Sequence, residues 1–327
     1  MTTRAVIRAF EQSSDAHASG RRCASDTMLQ ATCYSAALQN LLTGGAGNGR
    51  VFSAHESVVN LAFHTHSGLV SLVVDSGSEL PNGIYITSPS HDFTFPTADS
   101  SQYGLALLQG DKLILPELKM VVALHGARAY DPHLKSFSIE KDAWEEIFVR
   151  NAHAVRIAME FAPQQGLVPL FGCTEQLMAA APPPLGLSTL CATTWDPLGQ
   201  LCQGILASDQ QQATVALEQL IGLGLGLTPS ADDVLLGMMA SLLALNKHES
   251  IGLFCGIAER ALAATTRLSA TYLAHGICGE FSKPLRAYVV GLLTGQCNLA
   301  GSMCWLFKSG HTSGAEAALG VTLGAIL

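Results

Sequence analysis

The periodicity of this 327-residue chain changes once, near residue 135, and does not change back. From Arg50 to about Tyr130 the sequence is a series of short β-rich runs broken by turns. They are RVFSAHESVVNLAF, GLVSLVVDS, GIYITS after Pro81-Asn82-Gly83, and then YGLALL and KLILPELKMVVAL on either side of Gly110-Asp111. Short strands at this spacing predict a small antiparallel barrel or sandwich. From Ile139 apolar residues recur three and four apart, as in IEKDAWEEIFVRNAHAVRIAMEF. Helical segments then continue past Pro182-Pro183-Pro184 to the C-terminus. Strands and helices in separate blocks predict an α+β fold. The division read from the sequence has three parts: residues 1–49, an extension with a short helix; residues 50–135, a β-rich domain; and residues 136–327, a larger helical domain. The short helix is expected at about Thr27 to Leu42, closed by Gly44-Gly45. Residues 1–24 show no period and a turn-prone composition.

A chain of this length has room for one large domain or two ordinary ones, each with its own core. Its apolar fraction of 48% is ordinary, but only 13% of residues are charged, about half the roughly 25% of typical domains. A surface so poor in charge implies a standing interface. The chain is therefore expected to be inactive alone and to bind a partner chain or form a homo-oligomer. A net charge of −8 without a Lys/Arg cluster excludes nucleic acid. No segment reads as a membrane span: the uncharged run Ala287 to Phe307 is interrupted by Gln296, Asn298 and glycines, which suits a packed helix pair. Arg4, Arg8 and Glu11 stand where a signal peptide needs an apolar block. Nine cysteines without a C-x-x-C pair are expected as buried free thiols of a reducing compartment, the cytoplasm.

One stretch reads differently from the rest. In GLGLGLTPSADDVLLG, residues 222–237, glycine alternates with leucine before a polar knot, and the run Val234 to Leu245 that follows is apolar nearly all round. Such a helix is buried among others. Ser230 and Asp233 have the spacing of a capping box, which alone would explain them structurally. The three glycines argue for more, since glycine lets backbone N–H groups approach a ligand and a Gly-rich loop before a helix is a ready anion site. No Gly-Lys-Ser/Thr follows, so it is not a P-loop. Asp232 and Asp233 oppose a bare anion, which leaves a metal-bridged anion, with a divalent ion at these two acids, or a polar neutral group. Both remain open. Residues 222–230 are expected as an extended loop on a surface cleft. Asp233 is taken by the box, while Asp232, rotated about 100° around the helix, is free to reach the cleft as a catalytic candidate.

GHTSGAEAALG, near the C-terminus, places Ser313, Glu316, Leu319 and Gly320 at the same offsets as Ser230, Asp233, Leu236 and Gly237. Two similar helix starts could face one cleft, with Ser230, Asp232 and His311 lining one pocket; chance is the rival, because capping boxes are common. His311 is the candidate acid, base or oxyanion partner. Between the knots, Thr266, Ser269 and Leu273 share a helical face, where a hydroxyl more often bonds its own helix than a ligand. The candidate ligand-binding set is Gly224, Gly226, Thr228, Ser230, Ser269, Thr312, Ser313 and Gly314. His64 and His66, without a third ligand, read as exposed strand residues.

Three stretches in order, GLGLGLTPSADDVLLG, TTRLSATYLAHGICGEFSKPL and GHTSGAEAALG, resemble the third subunit (AllH) of bacterial oxamate carbamoyltransferase, part of a wider domain family of unknown function. The matching positions are Gly226, Thr228, Pro229, Ser230, Asp232, Asp233, Ser269, Gly310, His311, Ser313 and Gly314. A weaker likeness, VVNLAFHTHSGLVSLVV around Asn60-Leu61, extends the resemblance to roughly 50–325. Arg267 and residues 1–49 depart from the pattern. The resemblance implies a cytoplasmic subunit of a three-component enzyme of allantoin and purine nitrogen catabolism. That enzyme moves a carbamoyl group between oxalurate and phosphate, giving oxamate and carbamoyl phosphate. It implies partner subunits and a small carboxylate, carbamoyl or phosphate ligand, and carries over no catalytic residue. Two other readings stay open: a non-catalytic partner that shapes such a complex, and a stand-alone binding protein for a small carboxylate or ureido compound.

Overall fold

The computed structural model describes residues 27–74, 77–87, 93–96, 104–255 and 263–327; the expectation for residues 1–24 lies outside them. The fold is α+β. The chain divides into two units, Met1–Asp131 and Pro132–Leu327.

The first unit is a barrel. Its strands are β1 (Thr27–Ser35), β2 (Ala46–His55), β3 (Val58–Phe63), β4 (Leu69–Val74), β5 (Gly83–Ile86), β6 (Leu105–Gln109), β7 (Lys112–Leu115), β8 (Met120–Ala123) and β9 (Arg128–Tyr130). They are ordered β5-β4-β3-β2-β6-β7-β8-β1, and β1 also pairs with β5, so eight strands close on themselves. β9 adds to β1 in parallel. Closure removes the unpaired edges that a sandwich would leave. The expected antiparallel pattern holds at most seams, but β4–β5 and β1–β8 are parallel. Period two sets the inner face: Val59, Leu61 and Phe63, then Val70 and Leu72, then Ile84 and Ile86 join one buried cluster, as alternating side chains must. The other face of β2–β4 carries a buried polar ladder. Asn60 donates to Ser53 (2.9 Å) and accepts from Ser71 (2.8 Å), while the Asn82 amide donates to Ser71 (3.0 Å).

Two expectations are corrected here. Thr27–Ser35 is a strand, not the start of a helix; Leu29 and Ala31 alternate inward, and pairing with β5 and β8 outweighs the helix-forming run Ala36 to Leu42. A 3-10 turn at Ala36–Leu38 and a short helix, α1 (Gln39–Thr43), remain before Gly44. His64 and Thr65 lie in the turn between β3 and β4, not in a strand.

The second unit is helical: α2 (Ala143–Phe161), α3 (Thr174–Met178), α4 (Thr189–Leu206), α5 (Gln210–Leu220), α6 (Ser230–Ala244), α7 (His248–Cys255), α8 (Arg267–Ile277), α9 (Lys283–Thr294), α10 (Leu299–Leu306) and α11 (Ser313–Gly324). The run Ala287 to Phe307 is a helix pair, α9 and α10. Seven cysteines among the described residues form no disulfide; Cys191 and Cys202 are buried as expected, but Cys278 and Cys297 are exposed.

The centre of this unit is the pair α6 and α11, each buried on nearly every side. They run parallel, their starts together at Thr228–Ser313 and their ends at Ser241 and Gly324. A Cβ on Gly237 would stand 1.9 Å from the Ala317 carbonyl oxygen, and one on Gly320 would stand 1.9 Å from that of Val234. The contact is reciprocal: each glycine follows its helix's first serine by seven residues and meets the fourth residue after the other's serine. The pair therefore has a local two-fold relation, and the repeated offsets in the sequence record it.

Candidate functional site

Parallel packing brings two helix starts to one place. The hydroxyls of Thr228 and Ser313 lie 2.9 Å apart although 85 residues separate them. Two positive dipole ends side by side favour acidic groups nearby, and Asp232, Asp233 and Glu316 occupy the first turns.

Neither serine caps its helix, which corrects both expected boxes. Pro229 and Thr312 hold the cap positions, and no side chain bonds to the backbone there. Carbonyls take the donors instead. At α6, Leu223 O accepts Ala231 N (3.0 Å) and Pro229 O accepts Asp232 N (3.0 Å) and Asp233 N (3.3 Å). At α11, Ser309 O accepts Gly314 N, and Thr312 O accepts the amides of Ala315 and Glu316, each at 2.9 Å. With these amides satisfied by carbonyls, the side-chain cap has nothing to add.

The glycine alternation folds the loop back against the start of α6 and against Ala264. Gly222, Gly224 and Gly226 have φ of 79°, 128° and 99°, a region that L side chains rarely adopt. A Cβ at Gly222 would lie 2.2 Å from Ala264 O, and one at Gly224 would lie 2.5 Å from Ser230 N. Residues 222–229 lie outside any helix, and Leu225 is 91% exposed at the tip.

The two aspartates exchange the parts expected of them. Asp232 is buried with both oxygens engaged. Oδ1 accepts Gly222 N (2.8 Å), and Oδ2 accepts the hydroxyls of Ser269 (2.6 Å) and Thr265. Ser269 thus bonds neither its own helix nor the surface. Asp232 ties loop, α6 and α8 together, and Thr266 extends the tie, accepting Ser269 N (3.1 Å) and donating to Leu227 O. Asp233 is only partly engaged, through the hydroxyls of Ser313 and Thr228. It is 6% exposed, and its Oδ2 has no hydrogen-bond partner among the described residues. Burial, then the charge of Glu316, push its carboxyl well above the ordinary value; hydrogen bonds from Ser313 and Thr228 oppose the shift, and Asp232 adds to it.

Glu316, 1% exposed, accepts Leu167 N (3.0 Å) and the Thr312 hydroxyl (3.0 Å). Gly166 (φ +59°) packs so closely that a Cβ there would be 2.0 Å from Glu316 Oε1. His311 is exposed, its Nε2 2.9 Å from Gln165 Oε1. The segment Gln165–Leu167 thus joins the site, unforeseen in the sequence: PQQG reads as a turn, and nothing local says which acid it packs on. Thr265 was missed for the same reason. Gly310 and Gly314 serve packing; a Cβ on Gly314 would be 1.8 Å from Leu306 O.

A divalent ion at Asp232 and Asp233 does not fit this arrangement. Both Asp232 oxygens already accept hydrogen bonds, from Gly222, Thr265 and Ser269, and among the described residues no group of three His, Cys, Asp or Glu side chains is placed to hold a metal ion.

The raised Asp233 carboxyl has a pH signature. A folded-state value above the unfolded one means the stabilisation is complete below about pH 4 and is lost as pH rises through the raised value. The stability of the wild type relative to Asp233→Asn is therefore expected to fall as pH rises above about 4 and to level off once the raised value is passed, measured by thermal melts at matched ionic strength. A flat difference would mean that the acid is solvated.

An eight-stranded barrel unit and a helical unit built on two parallel helices, with a polar site at their shared start, define the class: an α+β protein with a helix-end site. Among the described residues no helix is long and apolar enough to cross a membrane. Residues 220–325 match the family described as oxamate carbamoyltransferase subunit AllH, so the resemblance carried by the three C-terminal stretches is borne out there and this part of the chain is AllH-like. The match contains the loop, α6, α8 and α11, hence every part of the site except Gln165–Leu167; the likeness around Asn60-Leu61 lies outside it. No solved structure matches the chain.

Proposed function

We propose that this chain is a subunit of an oxamate carbamoyltransferase-like complex, acting on oxalurate and phosphate in the cytoplasm, and that the start of the α6–α11 pair is its ligand site. The observation that carries the reading is the meeting of Thr228 and Ser313 above Asp233, inside the AllH-like stretch. Carbamoyl transfer to phosphate asks the protein chiefly for oriented donors and acceptors around a carbonyl, with little covalent chemistry. The hydroxyls of Thr228 and Ser313 and the imidazole of His311 at the rim are such groups. Asp232 acts at one remove, by fixing the loop that carries Thr228.

The test is reconstitution. The chain alone should show no turnover, and the complex lacking it should show little. In the full complex, His311→Ala should lower kcat on the order of a hundredfold with an unchanged melting temperature. Undiminished turnover in that variant and in Ser313→Ala would leave the chain an architectural partner, a reading that the exposed Leu225 and Leu227 favour as contact residues.

A further inference from the structure

The site at the start of the α6–α11 pair is poor in what an anion needs and rich in what an amide needs. The first-turn amides of Ala231, Asp232, Asp233, Gly314, Ala315 and Glu316 already bond to carbonyls, so most of the usual anion donors of a helix start are taken. Three carboxyl groups, Asp232, Asp233 and Glu316, gather there, and like charge opposes phosphate. Against this stands one orphan, the buried Oδ2 of Asp233. A buried polar oxygen without a partner is costly and marks a place where a partner belongs.

We infer that this end of the helix pair is a subsite for an uncharged primary amide or ureido group, with Asp233 as the residue that recognises it. The inference rests on the proposed carbamoyl chemistry for its choice of ligand. A carboxyl group in its protonated form, which burial favours here, presents one O–H donor and one acceptor side by side. A primary amide presents the complement, C=O beside N–H, so the two close a ring of two hydrogen bonds. An ionised carboxylate offers no such donor–acceptor face, and phosphate, although it keeps an O–H, brings its negative charge against Asp232 and Glu316. Thr228 and Ser313 flank the acid and supply the remaining hydroxyls. Phosphate is then held away from this end.

The test is calorimetric titration of the assembled complex with oxalurate in the absence of phosphate, and separately with inorganic phosphate. Asp233→Leu keeps the approximate shape and removes both hydrogen-bonding atoms; it should raise the dissociation constant for oxalurate at least tenfold and leave that for phosphate unchanged. Asp233→Asn, which retains one donor and one acceptor, should bind oxalurate within a few-fold of the wild type. Equal weakening of both ligands, or oxalurate binding untouched by Asp233→Leu, would overturn the inference. If Asp233→Leu fails to fold, a loss of oxalurate binding in Asp233→Asn as large as that in Asp233→Ala would overturn it equally. If no complex assembles, the same titration on the full chain decides the question. Turnover of oxalurate is measured apart: Asp233-dependent binding without turnover would sink the proposed function and leave this subsite standing.

Discussion

Gly320→Ala is expected to cost about 3 kcal/mol or more, the upper end of what overpacking a tight interior does. The added methyl would sit 1.9 Å from the carbonyl oxygen of Val234 and 2.9 Å from the amide nitrogen of Met238. Both are backbone atoms of a buried helix, so no side chain can turn aside; one helix has to move. Alanine gains about 1 kcal/mol over glycine in helix propensity, and the clash outweighs it. Gly237→Ala should cost nearly as much, since its methyl would meet Ala317 O at 1.9 Å and Val321 N at 2.8 Å. The local two-fold relation gives a sharper expectation. Once either methyl has pushed the pair apart, the second meets a gap already opened, so the double variant should cost clearly less than the sum. Denaturant unfolding of the four proteins in a double-mutant cycle measures this. Additive costs would mean that the two glycines yield independently. Both variants should also lower activity, because Thr228 and Ser313 can only meet if the helices stay close.

The barrel strands from β2 to β8 were legible because each carries its own period: Val59, Leu61 and Phe63 face inward whatever the rest of the chain does. β1 was not, because Thr27–Ser35 leads straight into an Ala-Ala-Leu run that favours helix, and its strand state depends on partners far along the chain, β5 and β8. The burial of α6 was legible from an apolar run with no polar face. The repeated offsets pointed only to two similar helix starts that could face one cleft; the close parallel contact of Gly237 and Gly320 that accounts for them was not foreseen. The roles of the two aspartates were not legible either. Spacing says that Asp233 can reach back to a cap, but it does not say that carbonyls of the loop and of Pro229 will satisfy the amides first. Nor does it place Thr265 and Ser269 against Asp232. Local rules gave the helix starts; the tertiary hydrogen bonds decided which acid is held and which is left over.

That division makes Asp232 the more damaging of the two acids to remove. Asp232→Ala leaves Gly222 N, Thr265 and Ser269 without their acceptor. An unsatisfied buried donor costs about 1–3 kcal/mol. The two hydroxyls can rotate toward other acceptors, but the Gly222 amide cannot, because its φ of 79° and the Ala264 carbonyl behind it fix the turn. A total of about 3 kcal/mol is therefore expected, with amide protection lost across residues 222–229 in hydrogen exchange. Asp232→Asn keeps one acceptor oxygen and should lose about half as much. Asp233→Leu is expected to cost clearly less than Asp232→Ala at neutral pH, since one of the oxygens it removes is buried without a partner, burial disfavours the charged form of the carboxyl, and the Ser313 and Thr228 hydroxyls it frees can bond each other. The two substitutions stand at adjacent positions in the same helical turn, so propensity and burial are nearly matched and the contrast reports hydrogen bonding. If Asp233→Leu proves the costlier and Asp232→Ala leaves the loop protected, the side chain of Asp233 is bonding the helix start after all, and the ligand site loses its recognising group.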